Sequence, residues 1–289
     1  MRGAAPDQEL AAAAARLAEE VAEVLRWERS LGGVGVTAAE LRAEGERGRP
    51  ADVPPVDRRP VDEPTVEARD GAPRPAEVAS AAGEPTSLEV PLAARIARLE
   101  TLAAEAAKCT ACPLHEGRTR SVFQRGDPAA ELAFVGEGPG FHEDRLGLPF
   151  VGPSGELLDR MIAAMGYARD AVYVCNVVKC RPPNNRTPTV PERDACGPFL
   201  EAQLDVVRPR VIVALGRCAA EHLGCAEPEQ RGWRGRWGQW RGTPVMPTYH
   251  PSYLLRTPQA KRAVWTDLQA VLARLGREPP GTPAAVARQ

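Results

Sequence analysis

Apolar residues occur along the chain in two alternating patterns, which together predict the fold. Short unbroken apolar runs that end at glycine, proline or polar residues are typical of buried strands, and they lie at 131–138, 171–178, 210–216 and 243–251. Segments with apolar residues at helical spacing lie at 92–107, 154–166, 190–207, 217–223 and 258–275. Ser154 is the expected N-cap of the second of these helices. Because strands and helices alternate, the sequence predicts an α/β fold with a parallel sheet covered on both faces.

The first third of the chain follows a different pattern. Apolar residues fall mostly on one face over 7–31, which predicts a helix. Nine prolines and almost no aliphatic runs lie within 45–91, a composition typical of a disordered linker. We therefore expect an N-terminal helical extension (1–44), this linker, a main domain at 92–277 and a disordered tail at 278–289.

The charge is unevenly distributed along the 289 residues, although the net charge is only −1. Residues 1–104 carry 13 basic and 19 acidic side chains, and the remaining residues carry 24 basic and 19 acidic ones. The second part is therefore suited to a polyanionic partner. No apolar stretch approaches the roughly 20 residues of a membrane span, and no secretory leader is recognisable. A cytoplasmic location without membrane contact is expected.

Four of the seven cysteines form two pairs. Cys109 and Cys112 are two residues apart in "CTAC", and Cys180 and Cys196 enclose a proline-rich loop. In a reducing compartment paired cysteines indicate a metal rather than a disulfide. Their spacing does not choose between zinc and an iron–sulfur cluster. The other three are expected to be small buried side chains: Cys175, Cys218 and Cys225.

Polar residues follow the predicted strands and are expected to share one crevice, because ligands bind beyond the carboxyl ends of parallel strands. "VGEGPG" (135–140) lacks both the lysine of a P-loop and the glycine spacing of a Rossmann turn. Glu137 in this loop either binds a polar ligand or water, or is an exposed residue of a tight turn. His250 follows the last strand and precedes an apolar tip, Tyr253–Leu255, that ends at Arg256. This tip is either a wedge for a base stack or an ordinary helix start.

Several blocks, taken in order, closely resemble the family 4 uracil-DNA glycosylases. They are "CTACPL", "VGEGPGFHEDRLGLPFVGPSGELLD", "YVCNVVKCRPPNNRTP", "ERDACGPFL", "VIVALG" and "PTYHPSYLLR". The likeness runs from about residue 105 to 270 and leaves the first ninety residues uncovered. It implies a three-layer α/β/α sandwich on a mostly parallel four-stranded sheet, and a DNA repair enzyme that excises uracil.

The resemblance also implies functions for individual residues. A 4Fe-4S cluster would be held by Cys109, Cys112, Cys180 and Cys196. The uracil pocket would be formed by Gly136, Glu137, Gly138, Phe150, Asn176 and His250. Contacts to DNA are expected from Ser252, Tyr253, Leu254, Leu255, Arg256, Arg181 and Arg186.

The implied chemistry is hydrolysis of the N-glycosidic bond after the nucleotide is flipped out of the stack. Phe150 would stack on the base, and the amide of Asn176 would read its edge. His250 would stabilise the departing uracil anion, while Glu137 would act on the attacking water, either as general base or by positioning it. Free uracil and an abasic site would result without a covalent adduct. A monomer is expected, and the extension at 1–44 is a candidate site for an unknown protein partner.

Two other functions are compatible with parts of this pattern. A metal-containing DNA-binding module with a decayed site would keep the cysteines but not the pocket residues. A nucleotide-binding α/β enzyme would use the glycine loop for phosphate. Release of uracil from DNA separates both from the glycosylase.

Overall fold

The computed structural model describes residues 90–227 and 230–280 of the chain. The predicted helix at 7–31, all but the end of the predicted linker and most of the predicted tail lie outside these residues. The described part begins at the predicted start of the main domain.

Within these residues the structure contains seven α-helices, six strands and three short 3-10 helices. The helices are α1 (Leu92–Lys108), α2 (Phe141–Leu146), α3 (Pro153–Ala164), α4 (Val190–Val207), α5 (Arg217–His222), α6 (Pro251–Arg256) and α7 (Lys261–Leu275). The strands are β1 (Arg125–Gly126), β2 (Leu132–Gly136), β3 (Tyr173–Asn176), β4 (Val211–Leu215), β5 (Gly238–Trp240) and β6 (Thr243–Thr248). The 3-10 helices are Pro113–His115, Pro183–Asn185 and Pro258–Ala260.

The strands form one mixed sheet in the order β1–β3–β2–β4–β6–β5. The four central strands are parallel, which confirms the predicted parallel core. The two edge strands are antiparallel, and they extend the predicted four-stranded sheet to six strands. Both are only two or three residues long, so neither carries a run of apolar residues from which a strand could be predicted.

Helices cover both faces of the sheet because the central strands are buried on both sides. Along β2, Ala133 and Val135 pack into one hydrophobic cluster with α1, α4 and α5. Leu132 and Phe134 point to the other face and pack with α3, α6 and α7. The continuous apolar runs of the sequence are thus explained by a parallel sheet with two covered faces.

Helix α3 begins differently from the prediction. Its N-cap is Gly152, and Pro153 occupies the first helical position, where a missing N–H costs nothing. The predicted cap Ser154 therefore lies inside the first turn. A Cβ on the next residue, Gly155, would lie 2.0 Å from the carbonyl oxygen of Phe150, so only glycine permits the close approach of these two segments.

No helix in residues 90–227 or 230–280 is long and apolar enough to cross a membrane.

Candidate active site

A cleft of about 940 Å³ opens where the parallel strands end. Segments that follow four strands contribute to its walls: Glu137–Gly140 after β2, Asn176 at the end of β3, Gly216–Cys218 after β4, and Tyr249–His250 after β6. The predicted shared crevice is therefore present. It lies at the carboxyl edge of the sheet, as expected for an open α/β fold.

The floor of the cleft is a close contact between β2 and β3. Gly136 is the ladder partner of Asn176. A Cβ at Gly136 would lie 2.4 Å from Asn176 Oδ1 and 2.6 Å from Phe150 Cζ, so a larger residue would clash with two side chains that line the cleft. Asn176 is 2% exposed, and its Oδ1 has no hydrogen-bond partner within residues 90–227 and 230–280. A buried acceptor of this kind costs free energy unless a donor reaches it.

The Phe150 ring forms one wall of the cleft. Its backbone has φ 54°, in the left-handed region that side chains other than glycine rarely adopt. The ring is buried and stacks on the His250 imidazole, with centroids 5.6 Å apart and planes inclined by 29°. Strained backbone conformations cluster at binding and active sites. Here the strained residue presents a flat apolar ring to the cleft.

Glu143 fixes the positions of the glycine loop and the Phe150 segment. This buried carboxylate accepts backbone N–H groups from Gly140 (3.1 Å), Val151 (2.9 Å) and Gly152 (3.0 Å). It therefore connects the start of α2 to the residues directly after Phe150. Sequence reasoning missed this residue, although a glutamate three positions after a helix N-cap is the usual signal for such a contact.

His250 is present as a neutral imidazole with a defined tautomer. Its Nδ1 accepts the backbone N–H of Ser252 at 3.1 Å, so its proton lies on Nε2. Burial and the nearby Arg256 lower the pKa of His250 to about 4, with Glu143 opposing the shift. Gly216 makes room for it, since a Cβ there would lie 3.2 Å from His250 Cβ and the backbone has φ 93°. The imidazole can therefore donate a hydrogen bond at neutral pH without carrying charge.

Glu137 lies in a wall that also contains charged residues. Burial raises its pKa, and Glu221 adds to the rise, whereas a hydrogen bond from Thr187 and the charge of Arg193 oppose it. Arg193 donates to Glu221 Oε2 at 3.1 Å, and both side chains are largely buried. Sequence reasoning did not find Arg193 or Glu221, because only packing of α4 against α5 brings them to the cleft.

The four paired cysteines line one small cavity, separate from the cleft, and Lys179 lines it too. The thiol sulfurs accept N–H groups from Ala111 to Cys109 (3.5 Å), from Lys179 to Cys196 (3.3 Å) and from Arg118 to Cys180 (3.3 Å). All seven cysteines of the chain belong to the described residues, and none forms a disulfide. Among the described side chains no closed metal-binding group is already formed. The four sulfurs therefore share one cavity.

Comparison with known proteins assigns this architecture to a family. The model of the uracil DNA glycosylase superfamily matches residues 123–269, a segment that contains every strand from β1 to β6. The type-4 uracil-DNA glycosylase of Thermotoga maritima is 45% identical over 184 residues, which cover 62% of this chain and 96% of that protein. The corresponding protein of Archaeoglobus fulgidus is 38% identical, with coverage of 63% and 96%. The chain belongs to the uracil-DNA glycosylase superfamily.

Within the superfamily, similarity to the type-4 proteins is greater than to a type-5 protein. The type-5 uracil-DNA glycosylase of Pyrobaculum aerophilum is 34% identical over 154 residues, which cover 47% of this chain and 67% of that protein. This difference agrees with the resemblance to family 4 found in the sequence motifs.

In this family member the residues predicted to contact DNA differ in their exposure to solvent. The tip after His250 is the short helix α6, in which Tyr253 and Leu255 are 38% and 45% exposed. Leu254 is fully buried in the core, so it cannot act as a wedge. The wedge prediction is therefore restricted to the exposed positions, because one face of α6 packs against the domain.

The two predicted arginine contacts in the loop after β3 also differ. Arg186 makes a double hydrogen bond to Glu192 at 2.7 and 2.8 Å, and this pair lowers the pKa of Glu192 to about 2. Its charge is thus compensated within the protein, and its main contact is structural. Arg181 Nε donates to Asn185 Oδ1 at 2.7 Å, and among the described residues its guanidinium forms no salt bridge with a carboxylate.

Proposed function

We propose that this protein is a uracil-DNA glycosylase that flips uracil out of DNA and hydrolyses its N-glycosidic bond. The products are free uracil and an abasic site, the first step of base excision repair. One observation carries the proposal. The buried, unpaired Oδ1 of Asn176 lies in the same cleft as the Phe150 ring and the neutral donor His250.

Asn176 supplies the base specificity. Its Oδ1 accepts the N3–H of uracil, which gives the buried acceptor the donor that it lacks in the free protein. Its side-chain N–H donates to uracil O4. Cytosine presents the reverse pattern, with an amino group at C4 and an acceptor at N3, so both contacts would be lost.

Phe150 supplies the surface against which the flipped base stacks. Base–aromatic stacking contributes roughly 1–3 kcal/mol, which offsets part of the cost of unstacking the nucleotide. The ring is held in place by its contact with His250 and by the hydrogen bonds of Glu143 to the next two residues.

His250 stabilises the leaving group. As the C1′–N1 bond breaks, negative charge develops on uracil, and the Nε2–H of the neutral imidazole donates to its O2. Because Nδ1 is fixed by the N–H of Ser252, the donor is already oriented before the substrate binds. A neutral donor stabilises the developing anion without paying to bury a cation.

Glu137 acts on the water that attacks C1′. Its position in the loop after β2 allows it to orient this water, and the raised pKa makes the carboxylate a better proton acceptor. The hydrogen bond from Thr187 and the charge of Arg193 favour its charged form, which is the form that can accept a proton.

We further propose that Cys109, Cys112, Cys180 and Cys196 hold a 4Fe-4S cluster. Four thiols around one cavity, with backbone and guanidinium N–H groups directed at the sulfurs, fit the needs of such a cluster. When bound, the cluster would have a structural role, because its ligands come from the segment after α1 and from both ends of the 180–196 loop. Burial raises the pKa of Cys196 to about 11, so binding must release the thiol proton.

Iron analysis tests the cluster separately from activity. The purified protein should be brown with broad absorbance near ~400 nm, and Cys196→Ser should lower both absorbance and iron content. Cys225→Ser, at a half-buried cysteine outside this cavity, is the matched control. A colourless protein that contains zinc would contradict the proposal.

Further parts of the proposal concern the rest of the chain and its surroundings. We propose that the protein is a cytoplasmic monomer with a main domain at 92–277, that 45–91 is a linker, and that 1–44 binds a protein partner. The DNA contacts come from α6 and from the loop after β3: Ser252, Tyr253, Leu255, Arg256 and Arg181. Deletion of 1–91 should leave uracil release intact while abolishing any partner binding.

Uracil release is the decisive experiment. A single-stranded oligonucleotide with one uracil is incubated with the purified protein, and alkali then cleaves the strand at abasic sites. We expect cleavage at uracil and none with thymine or cytosine in the same position. Glu137→Gln should slow release by about 10²–10⁴-fold if the carboxylate is a general base. DNA binding without release would instead support a non-catalytic DNA-binding module.

A further inference from the structure

An exposed aromatic residue lies at the mouth of the cleft. Phe141 is the first residue of α2, and its side chain is 47% exposed although it is one of the largest apolar side chains. It lines the same cleft as Phe150 and Asn176. Single exposed apolar residues are common on protein surfaces, but this one borders the site at which the nucleotide is taken up.

Two arginines lie beside the Phe141 ring. The guanidinium carbon of Arg145 is 5.6 Å from the ring centroid, and that of Arg181 is 5.2 Å away. They come from different segments, one from α2 and the other from the loop after β3. A half-exposed aromatic ring with adjacent cations is the combination with which proteins bind single-stranded nucleic acid.

The topology places Phe141 away from the α6 tip along the edge of the sheet. The segment with Phe141 follows β2, whereas α6 follows β6, and β4 lies between these two strands. Two steps between neighbouring strands correspond to roughly 10 Å. A strand of DNA that enters the cleft at one position can therefore meet Phe141 on one flank and Tyr253 on the other.

We propose that Phe141 is a stacking platform for the nucleobase adjacent to the flipped uracil. This inference rests on the proposed function. When uracil leaves the stack, each neighbouring base loses one stacking partner and exposes an apolar face. Phe141 covers one of these faces, while Arg145 and Arg181 lie beside the ring and attract the adjoining phosphates. The platform reads no sequence, because every base has a face that can stack.

Fluorescence of 2-aminopurine tests the stacking directly. The probe is placed next to 2′-fluorodeoxyuridine, which resists cleavage, on the 5′ or the 3′ side, or at a distant position of the single strand. Wild-type protein should quench the probe at one adjacent position only. Phe141→Ala should abolish this quenching, and Phe141→Trp should restore it.

Turnover gives a second measurement. Stacking worth 1–3 kcal/mol corresponds to roughly 5- to 150-fold in affinity, so Phe141→Ala should raise KM by this range with kcat changed less than about twofold. Leu148→Ala is the matched control, because Leu148 is also 47% exposed but does not line the cleft. It should retain both the quenching and the KM of the wild type.

The outcomes separate this inference from the proposed function. If Phe141→Ala retains the quenching or binds the probe as tightly as wild type, the platform is refuted even though uracil is released normally. Weaker binding with unchanged quenching also refutes it, because the contact would then not be a stack. If the wild type releases no uracil from any DNA, the proposed function itself fails.

Discussion

Glu143 offers the sharpest test of how the site is held together. Among the described residues, its carboxylate is the only side-chain acceptor for the backbone N–H groups of Gly140, Val151 and Gly152. We consider two substitutions, Glu143→Ala and Glu143→Gln. The first removes the acceptor completely, and the second keeps one oxygen but replaces the other with a donor that faces an N–H group.

The size of the effect follows from the three hydrogen bonds. A hydrogen bond to a charged group contributes roughly 1.5–3 kcal/mol, and such contributions add incompletely when the groups are neighbours. Water that enters from the cleft replaces part of the loss. We expect Glu143→Ala to lower the free energy of unfolding by about 4 kcal/mol and Glu143→Gln by about 2 kcal/mol. This is a large share of the roughly 5–15 kcal/mol that stabilises a typical domain.

Activity should fall more than stability alone explains. Loss of the contact to Val151 and Gly152 frees the strained Phe150 segment, and a shift of about 1 Å in a positioning residue can cost about 100-fold in rate. Urea unfolding followed by circular dichroism gives the stability, and kcat/KM for uracil release is measured under conditions where the variant is folded. Glu100→Gln, at an exposed carboxylate of α1 that does not line the cleft, is the control. A Glu143→Ala variant within about 0.5 kcal/mol of wild type would refute the reasoning.

Three other predictions follow from the structure. Folding lowers the pKa of His250 from 6.5 to about 4, so the unfolded chain binds the proton more readily. As the pH falls below about 6.5, this residue therefore lowers the free energy of unfolding, by about 2 kcal/mol at pH 5. His250→Asn should lose less stability than wild type between pH 7.5 and pH 5, and an equal loss would contradict this. Asn176→Ala should lower kcat/KM by about 10- to 100-fold with the unfolding free energy nearly unchanged, since its buried Oδ1 has no partner to lose; parallel loss of stability would count against a recognition role. Leu254→Ala should destabilise by about 2–5 kcal/mol, whereas Leu255→Ala should raise KM for DNA without affecting stability, and the opposite ranking would overturn the placement of α6.

The sequence by itself determined the parallel core, with strand ends that lie within three residues of those predicted. Each of the four apolar runs is long enough to be buried on both faces, and only a covered parallel sheet accommodates four such runs between helices. Asn176 and His250 could be predicted at one crevice, because residues at or just beyond the carboxyl ends of parallel strands meet at the same edge of the sheet. Local patterns were sufficient here, since each inference needed only residues close together in the chain.

Tertiary structure decided which side chains face the cleft, the core or solvent. Leu254 and Leu255 are equivalent by sequence, but packing of α6 buries one and exposes the other. Glu143 accepts a hydrogen bond from the segment after Phe150, and Arg186 forms a salt bridge with Glu192. In each case the charged side chain is used for a contact within the protein and not for a ligand. A charged side chain takes the best partner within reach, and that partner is set by how separate segments pack. This is why the residues that carry the chemistry could be inferred from motifs, whereas the residues that hold them in place could not.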